Sequence, residues 1–251
     1  MNDISNLKEN WEKLAESDPW WAILVEPRRA GRKWDITEFF ETGKREIKNA
    51  IAILDEVGIE TKRKRALDFG CGIGRLTQAL SNYFAECIGV DISPKMVNLA
   101  RHYDTSDGRC TFLVNQQPNL RIFPSDHFDL IYTSRVLQHI KTPLSRKYIL
   151  EFTRILKPSG VVVFQVPSDV LGWKNSLRRA ITNSRILRPF VLIYAKRRYG
   201  TPAVMEMHTI PRKEVRKLLE EGGCNIVEVK KVNMAGDSYS DYLYVAVKSS
   251  I

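Results

Sequence analysis

A chain of 251 residues that is 43% hydrophobic can bury one large α/β core with an elaboration, or at most two small domains. No apolar run reaches the length of a membrane span, and Met1 to Lys13 lacks the core of a secretion signal. The four cysteines (71, 87, 110, 224) and four histidines (102, 127, 139, 208) are scattered without metal-ligand spacing, so the expectation is a cytoplasmic, metal-free protein with reduced thiols.

Taken in chain order, residues 1 to 33 mix polar and aromatic side chains and end in the basic cluster Arg28, Arg29, Arg32 and Lys33. They read as a helix and loop packed over a core. A helix follows from Ile36, and Ile47, Ala50, Ile51, Leu54 and Val57 give it one buried face before Gly58 ends it. Strand one is Arg65 to Phe69, followed by a helix from Arg75 to Phe84. Strand two is Cys87 to Asp91, and Ser93-Pro94 caps the next helix. Strands three and four are Thr111 to Val114 and Asp129 to Thr133. Thr142-Pro143 reads as another cap, and its helix carries Tyr148, Phe152, Ile155 and Leu156. Strand five, Val161 to Val166, is an unbroken apolar run of the kind buried on both faces. Such alternation predicts a parallel sheet covered by helices.

After Pro167 the pattern breaks. Residues 170–205 hold no carboxylate, yet carry Lys174, Arg178, Arg179, Arg185, Arg188, Lys196, Arg197 and Arg198 among aromatic and aliphatic residues. This reads as a helical insertion. Pro211 opens a further helix, Gly222-Gly223 ends it, and Ile226 to Val232 with Tyr242 to Val247 completes the sheet as a hairpin.

The most informative stretch is Ala66-Leu67-Asp68-Phe69-Gly70-Cys71-Gly72-Ile73-Gly74-Arg75, with Ile88-Gly89-Val90-Asp91 one strand later. A glycine turn lets a ligand approach the backbone, and a carboxylate ending the second strand can take two ribose hydroxyls. Both describe a pocket for a nucleoside-containing cofactor. Dinucleotide sites require glycine where this chain has Arg75, and the Asp68 carboxylate suits a cationic ligand better than a pyrophosphate.

These residues resemble the first two motifs of class I methyltransferases that use S-adenosylmethionine (SAM), with Asp68, Gly70, Gly72 and Gly74 as motif one and Asp91 as motif two. Phe128 to Tyr132, Val136 to Ile140 and Leu156 to Gly160 fall where that family has its later motifs. The resemblance covers roughly residues 35 to 165 and is loose beyond. It implies a Rossmann-like, seven-stranded, mostly parallel sheet with helices on both faces, a C-terminal antiparallel hairpin and a helical cap. In outline, residues 1–43 form a lid, 44–167 the SAM-binding core, 168–210 the basic cap and 211–251 the completion of the sheet.

It also implies roles. Ile92 would lie against adenine. Among Asn115, Gln116 and Gln117, amides stand where the family usually has an acid facing the adenine amine, and Gln116 is the candidate. Ser134, Arg135 and His139 follow strand four on the methyl side. His139 is the candidate base, because a hydroxyl acceptor must lose a proton and histidine titrates near neutrality. His208, with Glu206, is a candidate acceptor-site residue, and Phe39 and Gly43 belong to a segment resembling a SAM-site lid. The basic insertion leaves three readings open: a solvated face that also serves a homodimer, recognition of an anionic or lipid-linked saccharide, and docking on a membrane surface.

After strand four the chain has Thr133-Ser134-Arg135 in place of the Pro-Pro-aromatic motif of base N-methylation, no cysteine nucleophile between Cys110 and Cys224 and no paired glutamates for arginine, and no metal-binding carboxylate set can be assembled. Metal-independent O-methylation of a small-molecule or saccharide acceptor is therefore the expectation, and nucleic acid is the less favoured partner. N- or C-methylation of a small metabolite, and a non-catalytic SAM-binding module contacting RNA or membrane, are the alternatives.

Overall fold

The computed structural model describes residues 3–184, 186–199 and 205–250; Arg185 and residues 200–204 of the predicted insertion lie outside them. Seven strands form one sheet in the order β3-β2-β1-β4-β5-β7-β6. They are β1 (Arg65–Phe69), β2 (Glu86–Asp91), β3 (Cys110–Val114), β4 (Phe128–Thr133), β5 (Leu156–Val170), β6 (Cys224–Val232) and β7 (Tyr239–Lys248). The first five pair in parallel, and β7 runs antiparallel to both β5 and β6. A Rossmann-like sheet of this order reverses direction at β1, where chain crossovers change side and ligands bind beyond the strand ends.

Nine helices are described. They are α1 (Asp3–Ser17), α2 (Pro19–Ile23), α3 (Ile36–Glu56), α4 (Arg75–Leu80), α5 (Pro94–His102), α6 (Thr142–Ile155), α7 (Trp173–Asn183), α8 (Arg188–Tyr199) and α9 (Arg212–Glu221). One core lies between the sheet and α6 and α9, built on Leu67, Ile131, Phe152, Val162 and Leu219. The opposite core gathers Ile47, Ala66, Leu80, Val97 and Val163 under α3, α4 and α5. Strands buried on both faces need apolar residues at consecutive positions, which β1, β4 and the middle of β5 supply.

A third cluster joins the N-terminal segment to the core. Trp20 meets Phe39 edge to face with ring centres 5.0 Å apart, and Leu14, Ile73 and Met96 pack around them. α1 is fastened over the start of α5, where Glu12 accepts from the Ser93 hydroxyl at 2.5 Å and from the Lys95 amide at 3.2 Å. A carboxylate is favourable there because the first N–H groups of a helix are unpaired and carry partial positive charge.

Two local expectations differ from the structure. Ser93 does cap α5, accepting from the Met96 amide at 3.1 Å. Thr142, however, is the first helical residue of α6 rather than its cap, and its hydroxyl donates to the Thr209 carbonyl at 3.2 Å. Leu156 leaves α6 and opens β5 by pairing with Phe128, and Lys157 to Gly160 then bulge out of the ladder, with Ser159 at φ +61°, before Val161 resumes pairing with Leu130. α3 is unbroken through residue 43, so that outline boundary falls inside it. No helix among the described residues is long and apolar enough to cross a membrane.

Candidate active site

The cavity at the ends of β1 and β2 is built around the glycine turn. Gly70 adopts φ +77°, and a Cβ there would collide with Val136, so only glycine allows β1 to turn beneath the β4 loop. The turn is hung on β2, because the Gly70 and Cys71 amides both donate to the Val90 carbonyl at 2.7 and 3.0 Å. Gly70, Gly72, Asp91, Ile92, Asn115 and Ser134 line the space, closed from above by Leu7 and Trp11 of α1 and Ile23 of α2.

Asp91 is the charged group at the centre. Its two oxygens accept the Gly72 and Ser93 amides, each at 2.9 Å. Burial raises its pKa above the usual carboxylate range, while the backbone donors Ser93, Gly72 and Ile92 oppose that shift. A carboxylate has about four lone-pair positions, so two remain for ligand hydroxyls.

A buried ionic cluster walls the opposite side. Glu46 of α3 accepts from Arg75 and Arg135, both at 2.9 Å, and also from the Tyr132 hydroxyl at 3.1 Å and the Ser134 hydroxyl at 2.5 Å. Burial pushes the Glu46 carboxyl up, but the two guanidinium groups and the hydrogen bonds overcome it and hold it down at about 2. Arg75, Ser134 and Arg135 all face the cavity. Arg135 is held at φ +59°, unusual for a side chain of that size, by its amide donating to Gln165 at 3.0 Å and its guanidinium on Glu46. Gly43 lies against the Arg75 carbonyl, too close for any Cβ, so α3 can approach α4 only there. Gly43 and Phe39 therefore sit under the site, not in it.

His139 ends the single 3₁₀ turn Leu137–His139 after β4 and lines a second cavity with Asn10, Lys141, Leu144, Met205 and Glu206. Leu7 and Trp11 belong to both cavities, so the two meet at α1. The His139 Nδ1–H donates to the Glu206 carbonyl at 2.9 Å, and the Gln138 amide donates to Nε2 at 3.1 Å. This fixes one neutral tautomer with its lone pair on Nε2. Trp11 meets the imidazole edge to face at 5.5 Å.

Burial lowers the His139 pKa to about 4, with the Glu206 carbonyl opposing and His208 adding a smaller push in the same direction. The folded value lies below the unfolded one of about 6.5, so the unfolded chain binds a proton that the folded chain refuses between these limits. Stability is full above pH ~6.5 and falls by about 3 kcal/mol as pH drops to ~4. Urea unfolding across this range should show that slope, and His139→Gln should flatten it. An equal slope in the variant would mean that His139 is not the group responsible.

The remaining predicted residues are placed differently. Asp68 is buried behind the turn, accepting from the Thr77 hydroxyl at 2.7 Å, and burial raises it to about 7 against the pull of Thr77 and Arg75. Gly74 caps α4 against Phe112. Gln116 turns away to accept from Lys8 at 3.1 Å, and Asn115 takes the wall position. His208 lines neither cavity; its amide donates to the Gln138 carbonyl at 2.7 Å and its Nε2 stands 3.4 Å from Glu206. Glu46 is the residue that sequence reading missed. Its signal was a carboxylate set inside the apolar stripe of Gly43, Ile47, Ala50, Ile51 and Leu54.

Residues 67–164 match the family described as a methyltransferase domain. Over 99 residues the chain is 28% identical to the ubiquinone biosynthesis O-methyltransferase of Cereibacter sphaeroides, covering 39% of each protein. The enzyme of the same name from Actinobacillus pleuropneumoniae is 32% identical over 113 residues, 43% of this chain and 47% of that protein. The chain thus spans less than half the length of these curated relatives. Magnesium protoporphyrin IX methyltransferase from Synechocystis PCC 6803, crystallised with bound S-adenosylhomocysteine (SAH), superposes with a TM-score of 0.65 at 17% identity, over 99% of this chain and 100% of that one. Residues 67–164 thus match a methyltransferase domain, and the whole chain shares its fold with a methyltransferase crystallised with SAH.

Proposed function

We propose that this chain is a SAM-dependent methyltransferase that transfers the methyl group to a hydroxyl of a small molecule. The observation that carries this reading is the partly buried Asp91 carboxylate at the glycine turn, with two lone-pair positions left for a ribose, in a cavity that meets a second one at Trp11. The residues fit the cofactor: Asp91 for the ribose, Ile92 and Asn115 for the base, and Gly70 and Gly72, without side chains at the cavity wall, for close approach. SAM supplies an electrophilic methyl group on a sulfonium.

The chain's own contribution is to hold the acceptor and manage its proton. The second cavity combines apolar walls from Trp11, Leu7, Leu144 and Met205 with polar ones from Asn6, Asn10, Lys141 and Glu206, which suits a compact acceptor that carries hydroxyl groups. His139 is the base candidate. Its Nε2 lone pair is covered by the Gln138 amide, which an acceptor hydroxyl must displace. The O-methyltransferase names of the curated relatives support oxygen as the acceptor atom.

Calorimetry with SAH, with NAD as the control ligand, tests the cofactor. Binding near micromolar affinity, about −8 kcal/mol, is expected; heat with NAD and none with SAH would overturn the reading. With an acceptor in hand, His139→Ala should keep SAH affinity and lose roughly 10²–10⁴ in turnover. Normal turnover would remove His139 from the role of base.

A further inference from the structure

α7 and α8 line neither cavity, yet the stretch that carries them concentrates the charge of the protein. Residues 170–205 hold eight lysines and arginines and no carboxylate, against a net charge of +10 for the whole chain. The same segment concentrates exposed apolar surface. Trp173 is 72% exposed, Ile186 83%, Phe190 70% and Tyr194 60%. Among the described residues, more than half of the exposed large hydrophobic side chains fall between 173 and 194. On α7, Trp173, Leu177 and Ile181 recur every fourth residue and form one stripe. Lys174 lies 5.7 Å from the centre of the Trp173 ring.

We infer that α7 and α8 dock this protein on the surface of an anionic lipid bilayer. Singly exposed hydrophobics are ordinary, but a contiguous row of them costs solubility and marks an interaction surface. Cations interleaved with tryptophan, tyrosine and aliphatic residues suit the headgroup boundary, where rings and methyl groups enter the acyl edge and cations meet phosphates. Each cation near such a surface adds roughly fivefold to partitioning, so this segment supplies a large attraction that salt weakens. A second copy of the chain fits less well, because this face would bring its cations against themselves with no carboxylate between residues 170 and 205 to answer them. Neither helix can cross a bilayer, so association is at the surface.

The placement gives such docking a consequence. The segment leaves the sheet from the end of β5, the same edge that carries the glycine turn, and the chain returns at Met205 and Glu206 on the wall of the second cavity. The docking helices therefore leave from the end of the sheet that carries the site, and the chain that follows them returns at the wall of the cavity assigned to the acceptor under the reading above, although docking itself does not depend on that reading.

Co-sedimentation with vesicles tests it. The full chain should sediment with vesicles of phosphatidylcholine and phosphatidylglycerol in equal parts, remain in solution with phosphatidylcholine alone, and dissociate at high salt. Lys174→Glu with Arg197→Glu, and separately Trp173→Ser with Phe190→Ser, should each weaken binding at least tenfold. All four side chains are at the surface, so the fold is expected to survive, and unchanged SAH titration in both variants would verify it. No sedimentation with anionic vesicles, equal sedimentation with both kinds, or full binding by the charge-reversed variant would overturn the proposal. A solution dimer abolished by the serine variant, with no vesicle binding, would assign the face to a second copy instead. Vesicle binding without SAH binding would overturn the methyl-transfer reading alone.

Discussion

Glu46→Ala is expected to destabilise the protein by about 3–5 kcal/mol, the usual cost of stranding buried charge. The carboxylate answers two guanidinium groups and two hydroxyls, and Arg75 is only 3% exposed. Without it Arg75 cannot reach water, and both arginines repel across the site. For a chain of this length the loss corresponds to a drop of about 10 °C or more in the unfolding midpoint. Arg135→Ala should cost less, because Glu46 then keeps Arg75 and Arg135 is the more exposed partner at 26%. The pH dependence follows from the sign of the Glu46 shift. Its folded pKa of about 2 lies below the unfolded value, so its contribution is present above pH ~4.5 and lost as pH falls towards 2. That window lies below the one set by His139, so acid unfolding should proceed in two regimes. Thermal melts of both variants at neutral pH check the ranking, and an unchanged midpoint for Glu46→Ala would show that the cluster contributes nothing net.

Much of this architecture is legible in one dimension because it rests on local rules. β1 reads at its true bounds, since a short apolar run ending in glycine has one reading in an alternating α/β chain. Ser93 is legible as a cap because serine before proline satisfies an unpaired amide and presets the first turn. Thr142-Pro143 carries a similar signal and fails, because the Thr209 carbonyl, distant in sequence, takes the hydroxyl. The start of β5 at Leu156 is invisible for the same reason, as only its pairing with Phe128 draws that residue out of the helix, and Lys157 to Gly160 interrupt the ladder before Val161 pairs with β4 and β7. At the site, Asp91 is readable from its place at a strand end. The wall position of Asn115 rather than Gln116 depends on which amide the turn folds inward, and Lys8 of α1 draws Gln116 outward. Arg75 appears in sequence as a missing glycine. Its meaning emerges only with Glu46, a residue 29 positions away on a helix whose periodicity otherwise spells plain burial.

Asp91→Ala should reduce SAH affinity by roughly 10²–10⁴, because each hydrogen bond to a charged group contributes about 1.5–3 kcal/mol and two are lost together. Geometry makes the effect large. The carboxylate is partly buried, so ligand hydroxyls displace little water and fill lone-pair positions that the protein leaves open. The same oxygens also hold the turn by accepting the Gly72 amide and begin the α5 cap by accepting the Ser93 amide. Alanine therefore removes ligand contacts and loosens the loop that presents the backbone to the ligand. Asp91→Asn separates these contributions. Its remaining carbonyl can keep one amide, but its NH2 group faces the other donor and its charge is gone. Affinity of Asp91→Asn should fall between the parent and Asp91→Ala, while its melting temperature without ligand stays nearer the parent. Calorimetric titration of the three proteins, with melting curves recorded in parallel, resolves the ligand term from the folding term. A folded Asp91→Ala that binds SAH as the parent does would place the nucleoside elsewhere, and the cavity at the glycine turn would then need another ligand.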